Sequence, residues 1–160
     1  MKEMRIGNGF DVHKLIAGNE IILCGIKIKH NKQLVGHSDA DVGLHSLTDA
    51  ILGALGKGDL GRWFPPSEPV WENVNSKIFL EKALCFMREK AFTIMNIDLT
   101  FICEEPKIGI YNEKMVSNLA KLCDILAERI NIKATTSEGL GFTGRKEGIA
   151  VLTSVLLVKA

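Results

Sequence analysis

The 160-residue chain has almost no excess of charge, few cysteines and no long apolar run. Its 20 Lys and Arg residues are balanced by 19 Asp and Glu residues, which leaves a formal net charge of +1. A surface that binds nucleic acid needs an excess of basic side chains, so nucleic acid is not an expected partner. The hydrophobic content of 46%, combined with this low net charge, excludes an intrinsically disordered chain.

The cysteines are widely spaced and form no Cys-x-x-Cys pair: Cys24, Cys85, Cys103 and Cys123. This spacing argues against a zinc ribbon or a disulfide framework and favours reduced, mostly buried thiols. The longest apolar run, 148–158, is well short of the roughly 20 residues that cross a bilayer, and it predicts a buried strand instead. We therefore predict a soluble, cytoplasmic protein with no membrane partner.

No repeat, low-complexity tract or Pro/Ser-rich linker divides the chain, which predicts one domain over residues 1–160. Alternating and β-rich patterns predict strands over 4–12, 93–103, 132–137 and 147–158, and a hairpin around Cys24-Gly25. Apolar residues at spacings of three and four predict helices over 41–55, 76–90 and 112–130. This order predicts an α+β sandwich with helices on one face of the sheet. The apolar strand at its end needs cover on both faces, which predicts an oligomer.

Asp11 and His13 are two residues apart near the end of the first strand, so their side chains point to the same face. The first predicted helix offers further ligands, because Asp41, His45 and Asp49 follow one another at intervals of four. One carboxylate and two imidazoles with an open position form the ligand set of a catalytic zinc ion. Asp49 is a candidate for orienting a ligating imidazole. The same residues are also compatible with ordinary surface histidines and helix capping.

A second polar segment, 135–145, combines small hydroxyls, glycines and Arg145 after a short strand. Hydroxyls, free backbone N–H groups and an arginine suit phosphate oxygens, and Glu138 suits Mg²⁺ that bridges phosphates. An ordinary capped turn explains the segment equally well. The chain contains no phosphate-binding loop of the GxxxxGK[ST] type and no dinucleotide fingerprint.

Several segments together carry a resemblance that covers essentially the whole chain. They are Gly9-Phe-Asp11-Val-His13, His37-Ser-Asp-Ala-Asp41 through His45 to Asp49, Gly58-Asp59-Leu-Gly61 through Phe64-Pro65, Pro106-Lys107, and 133–150. In this order and spacing they resemble the 2-C-methyl-D-erythritol 2,4-cyclodiphosphate synthases. The resemblance implies a homotrimer of ferredoxin-like subunits with a mixed sheet and with active sites shared between neighbours. It also implies a lyase of the non-mevalonate isoprenoid pathway, which cyclises 4-diphosphocytidyl-2-C-methyl-D-erythritol 2-phosphate and releases CMP.

The resemblance also implies a role for individual residues. Zn²⁺ would bind Asp11, His13 and His45, and Mg²⁺ or Mn²⁺ would bind near Glu138. His37 and Thr136 would stabilise the transition state. The substrate contacts would come from Ser38, Asp59, Gly61, Phe64, Pro65, Cys103, Pro106, Lys107, Ile108, Gly109, Thr135, Ser137, Phe142 and Arg145. Phe10, Arg145 and Glu147 would line a central cavity of the trimer that holds isoprenoid diphosphates.

The chain departs from the family pattern at two places. Pro66 stands where the family usually has Asp, which removes a carboxylate near the sugar that Glu68 replaces at best in part. Ile108-Gly109 differs from the bulkier pair common there, which puts side-chain contacts with the base in doubt. Two other functions remain compatible with the residues: a zinc-dependent hydrolase of a phosphoester or amide, and an inert trimer that binds isoprenoid diphosphates.

Overall fold

A computed structural model describes residues 2–160. A mixed five-stranded sheet in the order β4-β1-β7-β5-β6 lies beside a separate hairpin of β2 and β3. The strands are β1 (Met4–Ala17), β2 (Glu20–Leu23), β3 (Ile26–Lys29), β4 (Lys32–Val35), β5 (Phe92–Ile102), β6 (Ile130–Thr135) and β7 (Gly148–Lys159). The helices are α1 (Val42–Ala54), α2 (Leu60–Trp63), α3 (Lys77–Glu89), α4 (Asn112–Cys123) and α5 (Gly141–Gly144). This architecture confirms the predicted α+β class.

The central strand β7 aligns both halves of the sheet. It runs antiparallel to β1 and to β5, whereas β5 and β6 pair in parallel. Asp11 lies opposite Val151, and Val151 lies opposite Phe101 on the next strand. The carboxyl ends of β1, β5 and β6 therefore share one end of the sheet, where both polar segments predicted from the sequence are located.

Helix α1 packs against β1 with almost no space between the two backbones. A Cβ atom on Gly9 would lie 1.8 Å from the carbonyl oxygen of Ser46, and one on Gly7 would lie 1.9 Å from that of Ala50. Only glycine permits such a close approach at these positions. The hydroxyl of Ser46 donates to the Gly9 carbonyl at 3.0 Å, which adds one hydrogen bond to this contact.

Asp41 fixes the beginning of α1 and does not point towards the site. It is the N-cap of the helix, and its carboxylate accepts hydrogen bonds from the backbone N–H groups of Leu44, Cys24 and Gly25. Burial raises the pKa of Asp41 to about 6, although these three donors act in the opposite direction. Asp41, which the sequence offered as a possible metal ligand, therefore connects α1 to the β2–β3 hairpin.

Most predicted elements agree with the structure to within two residues at each end, but β1 and α4 differ, and the short elements β4, α2 and α5 were not predicted. β1 extends to Ala17 and pairs there with β4, which the sequence patterns did not predict. The helix predicted over 112–130 ends at Cys123. Asp124 adopts a left-handed conformation with φ of 56°, which reverses the chain before β6 begins at Ile130. Leu126, which lies beyond this turn and inside the predicted helix range, is 60% exposed.

The sheet has one face under α1 and one face that the described residues leave open. Buried positions of β1, such as Gly7, Gly9 and Leu15, alternate with exposed apolar ones. The exposed apolar residues of β1 and β7 include Met4, Ile6, Phe10, Val12 and Leu152. Within residues 2–160, no helix combines the length and apolarity needed to cross a bilayer.

The glycine contacts lead to a first prediction. Gly9→Ala should destabilise the protein by about 2–3 kcal/mol or more, because the added methyl group forces α1 away from β1. Gly53→Ala is the matched control, since the Cβ there would lie 3.8 Å from its nearest neighbour and the residue is helical and exposed. It should stabilise the helix by up to about 1 kcal/mol. Urea unfolding of both variants measures the difference, and equal stabilities would contradict the packing described above.

Candidate metal site and its pocket

Three ligand atoms converge where β1 meets α1. Nε2 of His13 lies 2.9 Å from Oδ2 of Asp11, and Nδ1 of His45 lies 3.2 Å from the same oxygen. The two ring nitrogens are 3.0 Å apart. The spacing of Asp11 and His13 along the strand and the close contact of α1 with Gly9 together produce this triangle.

The triangle fits a small tetrahedral cation. Zn–N and Zn–O bonds of about 2.0–2.1 Å place neighbouring tetrahedral ligand atoms about 3.3 Å apart, close to the spacing of these three atoms. All three side chains are partly or fully buried, and within the described chain they are the group of His, Cys, Asp and Glu side chains arranged to hold a metal ion. Three protein ligands leave a fourth position open, as in catalytic zinc sites.

The backbone fixes the orientation of His13. Its Nδ1 atom lies 2.7 Å from the carbonyl oxygen of Val35. Because a carbonyl oxygen only accepts, Nδ1 carries the proton of the neutral ring, and the lone pair of Nε2 then points to the centre of the triangle. This is the tautomer that a metal ligand needs.

His45 is oriented by hydroxyl groups and not by Asp49, which corrects the role considered for Asp49 from the sequence. Nε2 of His45 lies 2.8 Å from Oγ of Ser76 and 3.0 Å from Oγ of Ser38. The carboxylate of Asp49 instead accepts a hydrogen bond of 2.7 Å from the backbone N–H of Leu60, and so holds the start of α2.

The three ligands interact strongly before any ion is bound. Burial by itself raises the pKa of Asp11, but hydrogen bonds and positive charge from His13 and His45 outweigh it and hold the pKa well below its usual range. Burial disfavours the charged form of His13, yet the Asp11 carboxylate and the Val35 carbonyl raise its pKa. Protons therefore compete with a cation for these three side chains.

Asp11, His13 and His45, here called the metal trio, lie at the wall of a pocket of about 740 Å³. Residues that the sequence analysis assigned to substrate binding or to catalysis line it: His37, Ser38, Asp59, Gly61 and Phe64. Pro66, Trp71 and Phe79 form part of its apolar wall. The carboxylate of Glu68 accepts a hydrogen bond of 3.1 Å from the Trp71 indole and lines an adjoining cavity, so it does not replace the carboxylate missing at Pro66.

Most of the remaining predicted substrate contacts form a second group at the ends of β5 and β6. The backbone N–H of Cys103 donates to the Thr135 carbonyl, which joins the segments 103–109 and 135–139. Glu104 accepts weak hydrogen bonds from the backbone of Ser137 and Gly139. This second group contains Cys103, Pro106, Lys107, Ile108, Gly109, Thr135, Thr136, Ser137 and Glu138.

Ile108 is only 3% exposed, so its side chain belongs to the core. A methyl group on Gly109 would meet no atom within 4 Å. A ligand in this second group would therefore meet main-chain atoms at these two positions. This agrees with the doubt that the sequence raised about side-chain contacts with a base.

The two groups do not meet within one chain. β1 and β6 are three strand spacings apart, or about 14 Å. Thr136 and Glu138 are exposed beyond the end of β6. Arg145 and Glu147 form an exposed ion pair of 3.0 Å, and Phe10 is 58% exposed on the open face of the sheet. Most of the residues predicted from the sequence thus lie in two separate groups.

An α+β fold with a partly buried carboxylate–imidazole trio beside a pocket is the arrangement of an enzyme that could hold a metal ion. Within that class, the chain belongs to the YgbB family, whose model matches residues 4–158. This confirms the resemblance found in the motifs.

Similar proteins agree with this assignment. The 2-C-methyl-D-erythritol 2,4-cyclodiphosphate synthase of Cereibacter sphaeroides is 52% identical over 99% of both chains. The structure of the bifunctional IspDF from Campylobacter jejuni matches 100% of this chain and 43% of its own, with a TM-score of 0.96 and 45% identity. A CDP complex of IspF from Plasmodium falciparum matches 99% of this chain and 98% of its own, with a TM-score of 0.88 and 34% identity. The chain spans about two fifths of the length of the curated bifunctional relatives it matches.

The sequence did not predict three neighbours of the two imidazoles: Val35, Ser76 and Phe79. The Val35 carbonyl lies in the unpredicted strand β4, and Ser76 was expected only as the start of a helix. Phe79, expected in the core, also packs against His45 with ring centroids 5.7 Å apart. The one local signal was Ser76 itself, a hydroxyl residue at a helix start.

The geometry of the trio leads to a second prediction. His13→Ala and His45→Ala should each weaken Zn²⁺ or Co²⁺ binding by about 100-fold or more, since a lost ligand costs more than a lost supporting hydrogen bond. Binding should also weaken as the pH falls through the raised pKa of His13, because its protonated ring cannot be a ligand. Chelator competition at several pH values measures both effects.

His30→Gln is the control for that experiment, because Nδ1 of His30 accepts from the backbone of Lys32 away from the trio. Wild-type affinity is expected for this variant. A metal affinity that does not depend on pH, or on either ligand, would contradict the site.

Proposed function

We propose that the protein is a 2-C-methyl-D-erythritol 2,4-cyclodiphosphate synthase. It converts 4-diphosphocytidyl-2-C-methyl-D-erythritol 2-phosphate into the cyclic diphosphate and CMP, in the non-mevalonate isoprenoid pathway. The observation that carries the proposal is the Asp11–His13–His45 triangle at the edge of a pocket that collects His37, Ser38, Asp59 and Gly61. The full-length match to a synthase at 52% identity supports it. The proposal assigns the activity to one domain, residues 1–160.

The substrate supplies its own nucleophile in this reaction. An oxygen of its 2-phosphate attacks the β-phosphorus of the diphosphate, a new P–O bond closes the ring, and the bond to the CMP oxygen breaks. Because the attacking phosphate is already anionic at neutral pH, no side chain has to remove a proton from it. Holding both ends of one molecule in place gains the advantage of proximity, worth up to about 7–11 kcal/mol in well-oriented cases.

Two cations and a set of fixed donors stabilise the charge that develops. Asp11, His13 and His45 would hold Zn²⁺, and Glu138 would hold Mg²⁺ or Mn²⁺, so that bound cations neutralise phosphate oxygens. His37 and Thr136 donate to the transition state, and Ser38 contacts phosphate. Asp59 and Gly61 position the sugar hydroxyls at the start of α2, beside Phe64 and Pro65.

The cytidine end occupies the second group. Segment 103–109 and Thr135 to Glu138 would form its pocket through main-chain contacts, with Phe142 and Arg145 as further ligand contacts. The CDP complex of the Plasmodium falciparum relative supports a cytidine nucleotide as the ligand class. The three buried and one exposed free cysteines are compatible with a reducing, cytoplasmic location.

We also propose that the ferredoxin-like subunit assembles into a homotrimer. Within one chain the two groups, here called half-sites, are about 14 Å apart across the sheet. A neighbour that places its second group beside this metal trio would complete the site. The open apolar face with Ile6 and Phe10 supplies the surface for such an assembly. Phe10, Arg145 and Glu147 would then line a central cavity suited to an isoprenoid diphosphate.

A third prediction tests the activity. Purified protein incubated with the cytidyl substrate and Mg²⁺ should give CMP and the cyclic diphosphate in phosphorus NMR spectra. Thr136→Ala and His37→Ala should lower kcat by about 100-fold, the usual cost of one donor to the transition state, whereas His30→Gln should leave it unchanged. A linear product that carries oxygen from labelled water would instead identify a zinc hydrolase. Undiminished CMP release by His45→Ala would show that the metal has no catalytic role.

A fourth prediction tests the assembly. Light scattering should give three times the 17.6 kDa chain mass for the wild type and the monomer mass for Ile6→Glu. The change places a charge in the apolar face, where Ile6 is 70% exposed in the single chain. Leu126→Glu is the matched control, because Leu126 is 60% exposed but lies outside the sheet. A wild-type protein at monomer mass would rule out the shared site.

A further inference from the structure

The hydroxyl of Ser76 is unusual for its position in the fold. Ser76 is the N-cap residue of α3, where a serine side chain normally accepts a hydrogen bond from the first turn of its helix. Here the side chain makes no such bond, although the residue is fully buried. Its oxygen lies among the Asp39 carboxylate, Nε2 of His45 and the hydroxyl of Ser38.

When the His45 ring is neutral, one arrangement of protons satisfies Asp39, Ser76 and Nε2 of His45. The Asp39 carboxylate cannot donate, so the single proton of Ser76 goes to Asp39. The Ser76 oxygen is then free to accept, and its partner at 2.8 Å is Nε2 of His45. Nε2 therefore carries the ring proton, and the lone pair of Nδ1 faces Asp11 and His13.

The Asp39–Ser76 pair is held rigidly in place. The backbone N–H of Ser76 donates to the other oxygen of Asp39 at 3.2 Å. Main-chain hydrogen bonds from Asp39 to Val74 and from Asn73 to His37 join the two segments on either side. The pair therefore has a fixed position behind the imidazole.

We propose that Ser76, backed by Asp39, is a positioning residue that sets the tautomer of His45 and thereby prepares the metal site. The inference rests on the proposed function only for the identity of the metal. Oδ2 of Asp11 lies 3.2 Å from Nδ1 and competes for the ring proton when no cation is bound. Because the Ser76 oxygen accepts from Nε2, the proton stays on Nε2 and not on Nδ1.

Loss of the Ser76 hydroxyl should reverse the tautomer. Ser38 then loses its hydroxyl acceptor at 3.1 Å, and Nε2 of His45, at 3.0 Å, becomes the acceptor for its proton. With Ser38 donating to Nε2 and Asp11 accepting at Nδ1, the ring proton moves to Nδ1. That tautomer has no lone pair directed at the ion.

The test uses the full chain with Ser76→Ala, with Ser46→Ala as the matched control. Ser46 is equally buried and adjacent to His45, but its hydroxyl contacts Gly9, Val151 and Thr153. Long-range ¹H–¹⁵N spectra of the metal-free proteins should show the His45 proton on Nε2 in the wild type and Ser46→Ala, and on Nδ1 in Ser76→Ala. Co²⁺ and Zn²⁺ affinity should fall about 10- to 100-fold in Ser76→Ala alone.

Asp39→Asn provides a second variant should Ser76→Ala fold poorly. Its amide can donate to Ser76, which frees the hydroxyl proton for Nε2, so it should also shift the tautomer and weaken metal binding. A His45 proton that stays on Nε2 in both variants, with wild-type metal affinity, would overturn the proposal. Equal losses in Ser46→Ala would overturn it too, since they would indicate a general loosening of α1. Failure of the wild type to bind metal would refute the proposed zinc site, while the spectra would still test the role of Ser76.

Discussion

The carbonyl oxygens of Ser46 and Ala50 rest against the α-carbons of Gly9 and Gly7, and the metal trio depends on this contact. With any larger residue in the strand, α1 would lie farther from β1 and His45 would no longer reach Asp11. The Asp41 cap adds a second constraint, because it ties the beginning of the same helix to the β2–β3 hairpin. The ligands are therefore held by two packed elements and not by a flexible loop.

The sheet gives the site its division into two parts. Antiparallel pairing through β7 brings the carboxyl ends of β1, β5 and β6 to one end of the sheet, yet separates β1 from β6 by about 14 Å. The proposed substrate, with a cytidine at one end and a phosphorylated sugar at the other, would suit two recognition regions that are each rigid and each specialised. On this view assembly and catalysis are linked, because the apolar face that would bind neighbours also decides which half-sites meet.

Much of this organisation can be predicted from the sequence, because periodicity and short motifs report local structure. The bounds of α1, α3, β5 and β7 follow from apolar spacing, and the trio follows from Asp11-x-His13 and one helical histidine. The end of α4 does not, since apolar residues continue in helical spacing past Asp124 although the chain must turn to pair β6 with β5. The partners of the imidazoles are also hidden, because Ser76 and Val35 come close to them only through tertiary packing.

The two ligating imidazoles are supported in chemically different ways. His13 is hydrogen-bonded to a main-chain carbonyl, which every amino acid at position 35 would supply. His45 is hydrogen-bonded to the side chains of Ser76 and Ser38, which a single codon change can alter. At the proposed zinc site, evolution and protein engineering would thus have one imidazole, that of His45, with which to tune Lewis acidity, whereas the main-chain contact of His13 would persist through substitutions at position 35.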